Sequence, residues 1–169
     1  MAENSFHFHL PRWEKLPEIE LYLDQVIKYL EDRLEPFFAD KSEKIITKAM
    51  VNNYVKHGVL TPPVKKKYGK SHLAHLFVIS LMKQVYSIND IKILIRFALG
   101  VAAEDVSYDK FCDVLEESIE CIFSNKAYVS EESTGKGRHL LKCATQSYAN
   151  KLYVQSVYLS GRLSGNPVK

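Results

Sequence analysis

The sequence has little cysteine: Cys112, Cys121 and Cys143 are three in number, with no C-x-x-C spacing. An odd count at these spacings supports neither a disulfide framework nor a zinc ribbon, so reduced thiols and a cytoplasmic location are expected. Nor is there a long apolar run. Leu73 to Val85 is the most apolar stretch, and it is too short for a bilayer and already carries Lys83 and Gln84. The opening Met1–Leu10 is polar, unlike a secretory leader. Catalytic patterns are missing as well. No nucleophile elbow and no glycine-rich phosphate loop occurs, and Gly135-Lys136-Gly137 lacks the preceding glycine of one. The expectation is a protein that is not an enzyme, with no catalytic residue, no metal site and no cofactor.

One stretch lacks acid almost entirely. Residues 1–40 carry four basic and nine acidic side chains, whereas residues 41–72 carry eight lysines against Glu43 alone. A local excess of that size suits a polyanionic partner, although a solvated lysine-rich loop would show the same bias.

Inside that region, Ile46 to Leu60 (I-T-K-A-M-V-N-N-Y-V-K-H-G-V-L) reads as a short helix with marked ends. Thr47 can cap its start, Gly58 suits the left-handed closing residue, and Pro62-Pro63 forbid continuation. Met50, Val51, Tyr54 and Val55 fall on one arc; Lys48, Ala49, Asn52, Asn53, Lys56 and His57 fall on the other. The outer arc holds no acid. Asn can bond bidentately to adenine in the major groove, and Lys can reach guanine or phosphate. The basic stretch Val64–Leu73 follows, expected as a short hairpin or loop tipped with positive charge.

Around this unit the chain reads as helical. An extended arm with Pro11 and Pro17 leads into an acidic amphipathic helix over Leu21–Phe38, which Pro36 should distort or end. Ser71 is expected to cap a helix over Leu73–Val85. Ser87-Ile88-Asn89-Asp90 resembles a capping box opening a helix with Ile88, Ile91, Ile95 and Leu99 inward, ended by Gly100. Further helices are expected over Ser107–Phe123 and His139–Leu163, with a loop at Glu131–Gly137 between them. His72 and His75 lie near one turn apart, but a helix start and a surface residue explain them more simply than a metal pair.

The motif I-T-K-A-M-V-N-N-Y-V-K-H-G-V-L, then P-P, then K-K-Y-G-K-S-H-L, then S-I-N-D-I-K-I-L-I, resembles the DNA-binding half of MerR-type transcription regulators. Gly58-Val59-Leu60 matches the family's step after the recognition helix, Tyr54 one of its aromatic pair, Lys66 the basic wing residue and Tyr68 the wing tyrosine. Asn52 stands where an Arg commonly approaches DNA, and Asn53 where an aromatic often contacts phosphate. L-P-R-W at 10–13, M-V-N-N-Y-V-K at 50–56 and K-K-Y at 66–68 more closely resemble an uncharacterised bacterial family, a domain of unknown function.

The expected architecture is mainly α: a MerR-like winged helix-turn-helix with a short β wing, an N-terminal arm and helix, and a C-terminal helical extension. Residues 1–100 would hold the arm and the winged core (45–99), and residues 101–169 the extension. The resemblance implies a sequence-specific DNA-binding transcriptional regulator; the alternative is an interaction or dimerisation module that keeps the fold without binding DNA. Lys48, Asn52, Asn53 and Lys56 would face bases and nearby phosphates, while Lys65, Lys66, Lys67, Tyr68 and Lys70 would hold the flanking backbone. Double-stranded DNA is the expected partner. A homodimer and a small-molecule effector stay open, and no membrane is expected.

Overall fold

The computed structural model of the protein describes residues 8–126 and 135–159. Among these residues there are six α-helices and one small antiparallel sheet of two strands.

The first strand, β1 (Leu21–Tyr22), leads directly into α1 (Leu23–Leu34). Gln25 Oε1 accepts from the Tyr22 N–H at 2.9 Å, satisfying a donor at the start of the helix. Val26, Leu30 and Leu34 recur every fourth residue and are buried. Pro36 sits in a 3-10 turn, Glu35–Phe37, that delivers Phe37 and Phe38 into the core. The single helix expected over Leu21–Phe38 is thus corrected at both ends. Pairing with a second strand claims its first two residues, and the proline ring turns its last ones out of the α-helix.

After a polar link comes α2 (Lys48–Lys56), then β2 (Lys67–Tyr68), which pairs with β1 in the register Leu21↔Tyr68 and Tyr22↔Lys67. α3 (Lys70–Met82) is apolar on nearly every side and forms the centre of the molecule: Leu73, Leu76, Phe77, Ile79 and Leu81 are all fully buried. It begins before the expected Leu73, and Ser71 does not cap it. The Gly69 N–H is satisfied instead by His72 Nδ1 at 3.1 Å, and the Ser71 hydroxyl turns to Glu104.

α4 (Ile88–Val101) opens on the expected box, with the Asp90 N–H donating to Ser87 Oγ at 3.2 Å. Its stripe is only partly inward. Ile91 is buried, but Leu99, near its end, is 42% exposed, as the helix runs off the core. Gly100 lies inside the last turn. α5 (Glu104–Phe123) starts one turn earlier than expected, and α6 (Lys136–Leu159) starts three residues earlier. Of the expected Glu131–Gly137 loop, residues 131–134 lie outside the described residues, and Lys136 and Gly137 are helical. Residues 160–163 of the expected last helix also lie outside them.

α5 and α6 run in the same direction: Ser118 Oγ meets Thr145 Oγ1 at 2.9 Å in the core, and Phe123 packs on Tyr153 further along. The buried Tyr148 hydroxyl donates to the Phe37 carbonyl, joining α6 to the turn after α1. One apolar core therefore runs from Leu10 to Leu152. No described helix is long and apolar enough to cross a membrane.

The arm is held more firmly than an overlay. Leu10 is fully buried, and Phe8 packs between Phe37 and Phe123, with ring centres 5.4 Å from each. Arg12 bridges Asp113 (2.9 Å) and Glu116 (2.8 Å) on α5, and the Trp13 N–H donates to Asp109 at 2.7 Å. These carboxylates recur at intervals of four and three residues, so one face of α5 receives the whole Pro11-Arg12-Trp13 segment.

Candidate nucleic-acid interface

α2 is a short helix fixed from outside. Thr47 Oγ1 accepts from the Met50 N–H at 3.2 Å, which is the expected cap. At the other end Gly58 has φ +65°, and the Val59 and Leu60 N–H groups both bond to the Tyr54 carbonyl. Two lysines from neighbouring helices clamp the ends. Lys92 Nζ on α4 donates to the His57 carbonyl at 2.9 Å, where the helix dipole favours a cation. Lys83 Nζ, following α3, donates to the Ile45 carbonyl at 3.0 Å and touches Met50 Sδ. Burial holds the Lys83 ammonium below its ordinary pKa, with Glu43 pulling it back up. Val51 and Tyr54 are buried, and burial pushes the Tyr54 phenol up to about 12, so it stays neutral. With its inner side locked and its ends clamped, α2 presents its outer side in one orientation.

That outer side carries Lys48, Asn52, Asn53 and Lys56, all exposed. Its freedom from acid is not complete. Asp24 of α1 reaches Lys48 at 2.6 Å, although both side chains remain mostly in solvent, where such a pair is weak.

The basic loop folds as a two-residue hairpin. Val64 and Lys67 exchange both backbone bonds, at 3.1 and 2.9 Å, and the two residues between them are Lys65 at φ +49° and Lys66 at φ +64°. Two consecutive positive φ values are the signature of a type I′ turn, a position that ordinarily selects Asn-Gly. A side chain in the left-handed region costs about 1–2 kcal/mol per residue. Both lysines are exposed at the tip.

The rest of the loop is less available than expected. Tyr68 is 3% exposed and packs edge-on against His72, so it is a core residue of the small sheet and does not reach outward. Lys67 is half-buried, its ammonium 5.5 Å from the Tyr22 ring centre. Lys70 begins α3 rather than extending the loop; it pairs with Glu18, and its side chain is 17% exposed. These three departures share a cause: β2 must pair with β1, and the pairing draws its side chains against residues before α1. His72 completes the loop's support. Because its Nδ1 accepts from Gly69, its Nε2 carries the proton, which points to the Pro62 carbonyl at 3.3 Å.

Of the candidate residues, the structure leaves exposed Asn52, Asn53 and Lys56 on α2, Lys48 beside Asp24, and the Lys65-Lys66 tip. The clamping roles of Lys83 and Lys92 escaped the sequence reading, since nothing local distinguishes them from surface lysines. The three cysteines are unpaired: Cys112 is buried, and burial pushes its thiol up to about 12, whereas Cys143 is exposed.

No curated protein and no solved structure matches the chain. Residues 11–115 match the family described as "Domain of unknown function (DUF1836)". The matched segment takes in Arg12, α1 to α4 with the small sheet, and α5 as far as Leu115, including Asp109 and Asp113. It covers more than half of the sequence and treats the arm and the basic unit as one piece, so the chain belongs to the DUF1836 family.

Proposed function

We propose that this protein is a sequence-specific DNA-binding transcriptional regulator whose region 45–99 acts as a MerR-like winged helix-turn-helix. α2 is its recognition helix and enters the major groove, the Lys65-Lys66 hairpin is the wing, and α1, which precedes this region, supports α2 from behind. The observation that carries this reading is the wing tip. Two exposed lysines occupy left-handed backbone positions that ordinarily select Asn or Gly, beside a clamped helix with outward asparagines. Strain held at an exposed basic turn is what a contact with phosphate would select and what stability alone would remove.

In this reading Asn52 and Asn53 read base edges, Lys56 and Lys48 reach nearby phosphates, and Lys65 and Lys66 hold the backbone beside the groove. α2 spans roughly 13 Å at 1.5 Å per residue, close to the width of the major groove. Lys67, Lys70 and Tyr68 support the wing from behind.

Selection of bound duplexes from a random library, with purified protein at moderate salt, tests this. The expected result is enrichment of one motif over successive rounds. Failure to retain any duplex at low salt overturns the reading. It would favour the second one, a protein-interaction or dimerisation module that keeps the fold. The observation behind that alternative is the exposed apolar side chains of α4 to α6, including Ile93, Val101, Val106 and Tyr158.

A further inference from the structure

The outer face of α2 is more selective than its charge. Ala49, Asn52, Asn53 and Lys56 fall at helical spacing on one exposed strip, opposite the buried Val51 and Tyr54. The helix's two cations stand at its ends, Lys48 as the first residue and Lys56 as the last. Lys48 is also turned toward Asp24. Between the two lysines the strip holds one methyl group and two carboxamides, and α2 contains no Arg.

These groups match one kind of base pair. A carboxamide sets a donor beside an acceptor. Adenine presents the complement in the major groove, an N6 amino donor beside the N7 acceptor. Guanine presents two acceptors there, N7 and O6, so a carboxamide that donates to one leaves its own oxygen facing the other. Guanine is read instead by Arg or Lys. The methyl of Ala49, in the first turn, suits the C5 methyl of thymine, which cytosine lacks, and its small size lets the backbone come close. We infer, resting on the DNA-binding reading, that the duplex recognised by α2 has a core of adjacent A·T pairs, with adenines on Asn52 and Asn53 and a thymine methyl on Ala49. The lysines at the two ends are then left to the phosphates on either side of the groove.

Two duplex pools, one randomised over A·T pairs alone and one over G·C pairs alone, are titrated with the full chain by fluorescence anisotropy at moderate salt. Binding to the A·T pool is expected to be roughly tenfold tighter or more, within what one bidentate contact discriminates. Two modified A·T pools assign the preference to α2. Replacing adenine by 7-deazaadenine removes the N7 acceptor and is expected to weaken binding roughly tenfold. Replacing thymine by uracil removes the C5 methyl and is expected to weaken it roughly fourfold, the scale of one buried methyl. Both replacements keep the pairing and the minor-groove edges. The Asn52→Ala/Asn53→Ala variant should bind the 7-deazaadenine pool and the ordinary A·T pool alike, and Ala49→Gly should lose the uracil effect alone. The modified pools test the wild type directly, so the outcome stands even where a variant unfolds. Retention of neither pool at low salt overturns the DNA-binding reading and the A·T core with it. Equal binding of the two unmodified pools, or tighter binding of G·C, overturns the A·T core and leaves DNA binding standing. An A·T preference that neither base replacement reduces overturns the assignment to α2, because the shape of the minor groove is then what is read.

Discussion

Replacing Lys65-Lys66 by Asn-Gly is expected to raise stability and lower DNA affinity together. Both lysines sit at positive φ in a type I′ turn, where Asn and Gly carry little of the steric cost. Relief of that cost at two positions should stabilise the fold by about 2–4 kcal/mol, a rise in Tm of roughly 6–12 °C for a chain of this size. The exposed ammonium groups go with them. If each neutralises one phosphate, the slope of log K against log salt should flatten by about 1.8, and affinity near 0.1 M salt should fall roughly fifty-fold on every duplex alike. Thermal melting and anisotropy titrations at several salt concentrations measure the two effects on one sample. A more stable variant with an unchanged salt slope would remove the wing from the interface.

The second large effect belongs to the arm. Arg12→Ala is expected to destabilise the protein by about 2–3 kcal/mol, lowering Tm by roughly 5–10 °C. The change breaks a fork of charged hydrogen bonds to Asp113 and Glu116 and strips the main partner from a Glu116 side chain that is only 20% exposed. The exposed Asp113 contact should contribute little of this. The pH dependence has a definite sign. Burial alone would push the Glu116 carboxyl up. Arg12, the Leu10 N–H and His9 outweigh it and hold the group below its ordinary value of 4.5. A carboxyl depressed on folding contributes stability that is complete above its unfolded pKa and is lost as pH falls through the folded value. The gap between wild type and Arg12→Ala should therefore be full at pH 6–8 and narrow progressively below about 4.5. Urea titrations across that range check it. A gap under about 0.5 kcal/mol at pH 7, the scale of an ordinary surface change, would mean that the fork contributes no net stability.

These two regions differ in how much of them could be read from the chain. The Thr47 cap, the left-handed Gly58 and the Ser87 box are local chemistry within one turn of backbone, and each is where the residues place it. The outward side of α2 followed from helical spacing alone. What escaped were contacts between distant segments. Nothing near Leu21 announces that it will pair with Tyr68, yet that pairing shortens α1 at its start and buries the tyrosine expected at the wing surface. Arg12 and its acids are about a hundred residues apart, and only the recurrence of Asp109, Asp113 and Glu116 on one face of α5 hinted at a receiving surface. The surroundings of His75 were least legible of all. His75 reads as a surface residue by position, yet it lines the apolar cleft among α3, α4, α5 and α6, close to Glu104.

The charge map behaves in the same mixed way. The excess of lysine over residues 41–72 is a property of composition, but its use is decided by folding. Lys70 is taken by Glu18 and Lys48 is shared with Asp24, while Lys83 and Lys92, from outside that stretch, clamp α2. Lys56, Lys65 and Lys66 are left exposed and have no acidic partner among the described residues. A smaller but better-aimed set of cations remains than the bare count implied.

The central claim is that α2 reads base sequence through its outward asparagines. It is tested most directly by titrating wild type and Asn52→Ala against a selected duplex and against a random one. The expected result is a loss of about 1–3 kcal/mol on the selected site with little change on random DNA. Equal losses on both duplexes, or none on either, would contradict it.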